Sequence, residues 1–242
     1  MEEIRKYHNE SKRLLIQSAT REGDSILDVG CGFGGDLQKW RHAGANISMC
    51  EPNPDSLKEA KSRAKNMKIR VNFYEGDIFA CPQRKYDVIC YNFALHYIFE
   101  TNTLFETSLL AIKNRMKPGG QFIGIIPNSD KIIMNTPVKD ELGNYFLMKH
   151  TSSGRFGEKL YVHLADTPYY ASGPKVEPIA HKDMLFTRME DLGFTLTLWE
   201  DLKGNPVSDL YSKFRFVYKK WLVSVSTSTL SGVTCFFSYV IS

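Results

Sequence analysis

Short apolar runs alternate with amphipathic stretches along most of the chain, and each change of period marks a predicted element. Apolar runs predict buried strands at 25–29, 46–50, 69–74, 86–91 and 121–126. Positions with helical spacing predict helices at 1–20, 36–42, 55–68 and 103–116. Strands that alternate with helices are typical of a parallel sheet with right-handed crossovers. The predicted fold class is therefore α/β, with a doubly wound, mostly parallel sheet.

The pattern loosens after the fifth predicted strand. Segment 127–178 is rich in Gly, Pro and Ser and predicts an insertion with a small strand at 159–164. Beyond it, the pattern predicts a helix at 181–192 and two closing strands at 194–199 and 213–218. We expect residues 1–220 to form a single domain. The sequence does not indicate a role for the uncharged tail 221–242.

Composition narrows the class of protein without indicating a reaction. A chain of 242 residues with a net charge of +4 fits one globular domain, and its mildly basic balance permits a polyanionic partner. The five cysteines include no C-x-x-C pair, which favours reduced thiols over disulfides or zinc. No apolar stretch of about twenty residues occurs, so we expect no membrane span.

A glycine-rich loop follows the first strand. Its sequence is Asp28-Val29-Gly30-Cys31-Gly32-Phe33-Gly34, between a predicted strand and a predicted helix. Glycines there allow a sharp turn and a close approach of a nucleotide. Two further acids, Glu51 and Asp77, end the second strand and follow the third. Because the carboxyl ends of parallel strands share one edge, these acids predict a nucleoside-binding crevice.

The D-x-G-x-G-x-G loop resembles the first motif of class I S-adenosylmethionine-dependent methyltransferases. The resemblance implies a Rossmann-like seven-stranded sheet with an antiparallel last strand and an insertion after the fifth strand. It also implies S-adenosylmethionine as cofactor, S-adenosylhomocysteine as product, and no metal. A glutamate at position 51 would then accept hydrogen bonds from the ribose hydroxyls, and Asp77 would lie beside the adenine.

Four segments resemble the mRNA cap guanine-N7 methyltransferases more specifically. Asn92-Phe93-Ala94-Leu95-His96-Tyr97-Ile98-Phe99-Glu100 is similar to the family's Q-F-A-L-H-Y-x-F-E. Segments 30–40, 119–129 and 9–16 resemble its G-C-G-K-G-G-D-L-x-K-W loop, its fifth strand and its N-terminal helix. The resemblance covers roughly residues 5–219. Because some viral members of this family are fused to other capping domains, we also expect that the chain is the methyltransferase domain of a large DNA virus's mRNA-capping enzyme.

The resemblance implies a set of site residues. Its cofactor contacts fall on Lys12, Asp28, Gly30, Gly32, Glu51, Asp77, Ile78, Asn92 and Phe93, with Lys12 facing the methionine carboxylate. Its cap contacts fall on Asn9, Arg63 and Pro127. Guanine itself would be positioned by Glu177, His96, Tyr97 and Tyr211. One departure is Phe33, which stands where the family has a lysine, so one triphosphate contact is missing or supplied elsewhere.

The expected reaction is methyl transfer to N7 of the 5′ guanosine cap, which needs no general base because N7 has a free lone pair. The expected partner is 5′-capped RNA, with other capping-enzyme domains in the same polypeptide as a further possibility. The expected location is intracellular: cytoplasm, viral factory or virion for a viral protein, nucleus for a cellular one. Two alternatives stay open: a small-molecule methyltransferase, and a catalytically silent RNA-binding or activator subunit.

Overall fold

The computed structural model describes residues 2–135, 137–139, 141, 143–149, 155–165, 168–203 and 208–219. Its strands are β1 Ser25–Val29, β2 Asn46–Glu51, β3 Val71–Glu75, β4 Tyr86–Asn92, β5 Met116–Pro127, β6 Val138–Lys139, β7 Tyr145–Lys149, β8 Lys159–His163, β9 Lys175–Pro178, β10 Phe194–Asp201 and β11 Tyr211–Tyr218. Its helices are α1 Glu2–Ala19, α2 Leu37–His42, α3 Pro54–Asn66, α4 Asn102–Arg115, α5 Ser129–Asn135 and α6 Lys182–Asp191. The tail 221–242 lies outside the described residues.

Seven strands form the main sheet in the order β10-β11-β5-β4-β1-β2-β3. β1 to β5 run parallel, whereas β11 is antiparallel to both β5 and β10. The predicted doubly wound sheet with an antiparallel last strand is confirmed. β1 lies between β2 and β4, so the chain order reverses at this point, and ligands of open α/β sheets bind outside such a reversal.

The central strands are apolar on both faces because helices cover both sides of the sheet. Leu27, Ile89 and Ile123 are completely buried in the middle of β1, β4 and β5. Such continuous apolar runs, without the alternation of a half-exposed strand, are typical of parallel sheets. This buried sheet holds the carboxyl ends of β1, β2 and β4 at fixed positions.

The boundary between α4 and β5 differs from the prediction. We expected a helix to end at a Lys-Pro-Gly-Gly loop and a strand to begin at Gln121. Instead β5 begins at Met116, which pairs with Tyr86, and the register with β4 shifts before Val88. Gly119 has a φ of +78°, so the backbone turns within the strand and still reaches the sheet.

The insertion forms a second sheet, where the sequence predicted one small strand. β6, β7, β8 and β9 pair in that order, and all three pairings are antiparallel. One face buries Phe146, Leu160 and Val162 against the main body of the domain. Glu177 of β9 is also buried, so the inner face of this sheet carries a carboxylate into the protein.

Candidate active site

The glycine loop is packed on one side and open on the other. Gly30 has a φ of +71°, and a Cβ there would lie 2.6 Å from the Cβ of Ala94. Gly32 has a φ of +53°, yet a Cβ there would have no neighbour within 4 Å in the part of the chain that the structure describes. Both positions favour glycine through their backbone conformation. The open side at Gly32 therefore leaves room for a ligand against the backbone.

The two predicted acids beyond this loop are held by backbone amides. Glu51 at the end of β2 accepts hydrogen bonds from the N–H groups of Gly32 and Asn53, each at 2.9 Å. Asp77 accepts one from the N–H of Phe79 at 2.9 Å and caps a short 3-10 helix that begins at the buried Ile78. The carbonyl of Glu51 also accepts from Gly76, at 3.0 Å. Both acids thus stand at one edge of the sheet.

A buried charge cluster lies beside the loop, centred on Asp36. The carboxylate of Asp36 is 2.8 Å from the Nζ atoms of both Lys12 and Lys39 and accepts a hydrogen bond from Asn92 Nδ2 at 3.0 Å. Burial opposes ionisation of Asp36, but the two lysines outweigh it and hold its pKa well below the usual range. Asn9 joins the cluster by accepting from Lys39 Nζ at 3.0 Å.

Asp28 lies beneath the loop. Its side chain is 2 % exposed and accepts a hydrogen bond from Trp40 Nε1 at 2.9 Å. Burial, and then the charge of Asp36, raises the pKa of Asp28 to about 7. The contact with Trp40 ties β1 to α2, so in this structure Asp28 supports the loop from below.

The residues around the loop fit the nucleoside cofactor that the sequence implied. Asn92 directs its Nδ2 to Asp36, while its buried Oδ1 has no hydrogen-bond partner among the described residues. A buried amide oxygen without a donor is unfavourable unless a ligand supplies one. This oxygen, the open face of Gly32 and the Glu51 carboxylate provide the acceptors and the space that a nucleoside with an amino-acid tail requires.

The second cluster surrounds Glu177, which is 3 % exposed on β9. His96 Nε2 lies 3.1 Å from Oε2, while Tyr170 and Tyr97 donate their hydroxyls to Oε1 at 2.7 and 3.3 Å. Burial alone would raise the pKa of the Glu177 carboxyl, but the imidazole of His96 and these hydrogen bonds together lower it. Glu177 is therefore an anion with donors already arranged around it.

The imidazole and the phenol come from the short 3-10 helix Leu95–Glu100, directly after β4. His96 is 2 % exposed, and its ring centroid lies 4.2 Å from that of Tyr97. The main sheet and the insertion therefore meet at Glu177. The geometry brings together three of the four residues that we predicted to position guanine.

The fourth, Tyr211, occupies a neighbouring aromatic cluster. Its buried ring lies 5.1 Å from Phe93 and 5.4 Å from His8, and it pairs with Pro127 where β11 meets β5. Phe93 has a φ of +58°, which is unusual for a residue with a side chain and indicates local strain at the end of β4. The aromatic ring of Phe93 also lies beneath Lys12, with Nζ 5.9 Å from its centroid.

Arg63 lies apart from the guanine cluster, on α3. Its Nε donates to Glu59 at 2.7 Å, and its guanidinium carbon lies 6.0 Å from the ring centroid of Phe33 in the glycine loop. Phe33, which replaces the lysine of the family motif, thus contacts the arginine that we assigned to the cap phosphates. The pairing keeps a cation beside the loop.

Comparison with known proteins identifies the family of this chain. Residues 1–167 match the model of the mRNA (guanine-N(7))-methyltransferase domain. The chain belongs to this family. A cap guanine-N(7) methyltransferase of Schizosaccharomyces pombe is 34% identical over 164 residues, covering 59% of this chain and 45% of the relative. The corresponding protein 1 of Arabidopsis thaliana is 28% identical over 193 residues, covering 67% and 52%.

The domain spans about half the length of these relatives. Solved structures confirm the class I methyltransferase fold. A methyltransferase of Clostridium acetobutylicum superposes with a TM-score of 0.61 at 14% identity, covering 88% of this chain and 91% of that one. The glycopeptide N-methyltransferase MtfA, solved with S-adenosylmethionine, gives 0.61 at 13% identity over 87% of each chain.

Sequence reasoning missed four residues of the two clusters, Asp36, Lys39, Tyr169 and Tyr170. Asp36 organises the charges around Lys12, and it was visible only as part of the glycine-loop motif. Tyr169 and Tyr170 contact Tyr97 and Glu177 from the insertion. The signal for them was a pair of tyrosines shortly before Glu177, in a segment whose pattern did not indicate how it would pack.

The described part of the domain shows no group of three or more His, Cys, Asp or Glu side chains that could hold a metal ion. None of the helices in the described ranges is long and apolar enough to span a membrane.

Proposed function

We propose that this domain transfers the methyl group of S-adenosylmethionine to N7 of the guanosine cap of RNA. The observation that carries the proposal is the buried anionic carboxylate of Glu177, surrounded by His96, Tyr97 and Tyr170. Guanine presents N1–H and N2–H side by side and can donate both to one carboxylate. Adenine has an acceptor at N1 and would oppose it, so this cluster favours guanine.

The proposed cofactor site is the crevice formed by the glycine loop. S-adenosylmethionine supplies an electrophilic methyl group there. Glu51 would bind the ribose hydroxyls, Asp77 and Ile78 the adenine, and Asn92 and Phe93 the region near the sulfur. Lys12 is held by Asp36, so it would meet the methionine carboxylate from within the charge cluster.

The proposed mechanism is positioning without a general base. Guanine N7 already has a free lone pair, so no proton must leave before the methyl group is transferred. Oriented binding of two reactants can supply roughly 7–11 kcal/mol of the barrier reduction. In this proposal Glu177 and Tyr211 fix the base, and His96 orients the Glu177 carboxylate. Pro127 and Asn9 border the pocket, and Arg63 meets the phosphates.

The test is methylation of RNA that ends in GpppA, using the purified chain and labelled S-adenosylmethionine. We expect transfer to N7 by the wild type. Glu177→Gln should lower kcat/KM by about 10²-fold, because one acceptor oxygen becomes a donor that faces guanine N–H groups. S-adenosylhomocysteine affinity, measured by calorimetry, should stay unchanged.

The matched control is Glu200→Gln, since Glu200 is half exposed on β10 and pairs with Lys213 away from the crevice. That variant should keep full activity. A wild-type chain that binds S-adenosylhomocysteine yet leaves GpppA-RNA unmethylated would refute the proposal. Transfer to a small molecule, or cofactor-free RNA binding, would then support one of the two alternatives.

The proposed partner is the 5′ end of capped RNA, and the proposed setting is intracellular mRNA processing. The match covers about half the length of the relatives that carry the name of cap methyltransferase, so further domains of a capping enzyme stay a prediction. A viral origin and a particular compartment also stay predictions.

A further inference from the structure

A chain of polar contacts leads from solvent through Tyr169 and Tyr97 to Glu177. The hydroxyl of Tyr169 lies 2.5 Å from that of Tyr97, which lies 3.3 Å from Glu177 Oε1. Tyr170 donates to the same oxygen at 2.7 Å. Tyr169 is 45% exposed, and Lys175 Nζ lies 4.7 Å above its ring. None of the sequence-derived site residues included Tyr169.

The lone pairs of Glu177 limit how guanine can bind. Each carboxylate oxygen accepts about two hydrogen bonds. Oε1 already has two donors, Tyr170 and Tyr97, whereas among the described residues Oε2 faces only His96 Nε2, at 3.1 Å. Guanine would bring one N–H to each oxygen. Oε2 has room for it, but Oε1 must first lose a donor.

We expect Tyr97 to be the donor that leaves, because its hydroxyl lies 3.3 Å from Glu177 Oε1, whereas that of Tyr170 lies 2.7 Å away. Its hydroxyl would then lose its acceptor, and the bound base would cover a side chain that is 37% exposed without it. A buried donor without an acceptor is destabilising by more than an average hydrogen bond contributes. The hydroxyl of Tyr169 is the nearest replacement acceptor, and its own proton can turn to water because the side chain is half exposed.

We infer that Tyr169 is a positioning residue for guanine recognition, acting through Tyr97. Without substrate, Tyr169 donates to Tyr97 and Tyr97 donates to Glu177. With guanine bound, Tyr97 donates to Tyr169, and Glu177 Oε1 is free for the base. Lys175 holds the ring of Tyr169 in place from above. This inference rests on the proposed function, since it assumes that guanine binds Glu177.

The test is a double-mutant cycle on cap methylation. Tyr169→Phe removes the hydroxyl that donates to Tyr97 in the free state and accepts from it when guanine is bound. Free Tyr97 still donates to Glu177, whereas Tyr97 beside bound guanine has lost its acceptor, so we expect KM for GpppA-RNA to rise about fivefold, with kcat within about twofold of wild type. S-adenosylhomocysteine affinity should not change. Tyr97→Phe removes the hydroxyl that needs the acceptor. Adding Tyr169→Phe to that variant should therefore leave KM unchanged.

The control is Tyr218→Phe, because Tyr218 packs on Phe194 at the far side of the sheet. Additive effects of the two tyrosine substitutions, or a fall in kcat with unchanged KM, would overturn the inference while wild-type methylation upheld the proposed function. Absence of wild-type methylation would refute the proposed function and the inference with it.

Discussion

His8 shows how one buried side chain makes the stability of the domain depend on pH. Its imidazole is 8% exposed and packs between Phe93 and Tyr211. Burial, and then the charge of Lys12, lowers its pKa from 6.5 to about 4. Between these two pKa values, His8 is therefore protonated in the unfolded chain and neutral in the folded domain. The contribution of His8 to the free energy of unfolding is fully present above the pKa of the unfolded chain, and it is lost as the pH falls from 6.5 towards 4.

We predict that His8→Phe reduces the loss of stability on acidification. Between pH 7 and pH 5, His8 should account for about 2 kcal/mol of the decrease in the free energy of unfolding. Phenylalanine keeps a ring against Phe93 but cannot take up a proton. Urea unfolding of both proteins at the two pH values measures the difference. Equal losses in the two proteins would show that His8 is protonated while folded.

Single residues were predictable where a local motif specifies them. Gly30, Gly32 and Glu51 follow from strand ends and turn chemistry, so their position did not depend on distant parts of the chain. Tyr170 could not be assigned in this way. Its hydrogen bond to Glu177 depends on how the insertion packs against the main sheet, and that packing leaves no periodic signal.

At the scale of elements, β5 depends on a glycine with an ordinary backbone conformation. A Cβ on Gly124 would lie 2.1 Å from the carbonyl oxygen of Tyr91 and 2.9 Å from the ring of Phe214. The carbonyl belongs to the neighbouring strand β4, so it cannot move without breaking the sheet. The absence of a side chain at Gly124 allows the Phe214 ring to cover the strand.

We predict that Gly124→Ala destabilises the domain by about 3 kcal/mol, at the upper end of overpacking effects. Gly35→Ala serves as the control, because its Cβ would meet only Lys12 Nζ, at 3.9 Å. The midpoint and the slope of urea unfolding measure the effect. A midpoint for Gly124→Ala that matches the control would contradict the close packing of β4, β5 and β11.

The elements themselves were predictable to different degrees. β1 to β4 were predicted closely because their apolar runs are bounded by polar turns. β5 was predicted too short, since Gly119 allows an extended strand through a sequence that usually ends a helix. The sequence predicted one strand of the second sheet, because the strands of this sheet are short and their partners are distant along the chain.

At the scale of the molecule, the positive charge is localised. The net charge is only +4, yet α3 carries four basic residues against the two acids Asp55 and Glu59, and Glu59 pairs with Arg63. The basic residues are Lys58, Lys61, Arg63 and Lys65. A cation on α3 beside Phe33 suits a short phosphate chain near the glycine loop. It does not require contact along an extended RNA.

We predict a shallow dependence of cap affinity on salt. Three phosphates correspond to a slope of log K against log salt of about −2, and the slope should be the same for GpppA and for a capped RNA of about 20 nucleotides. Arg63→Gln should reduce its magnitude by about 0.7. Lys85→Gln, at the opposite end of β4, should leave it unchanged. A slope that steepens with RNA length would indicate binding along the strand.

The separation of the two sheets has a consequence for how such domains diversify. The acids assigned to the cofactor stand on the main sheet, whereas Glu177 stands on the last strand of the insertion and is attached through β8. In the proposed function, the carboxylate that selects guanine is therefore carried by the insertion, whereas His96 and Tyr97 follow β4 of the main sheet. A change confined to this insertion would thus alter the proposed selection of the base without replacing any residue assigned to the methyl donor.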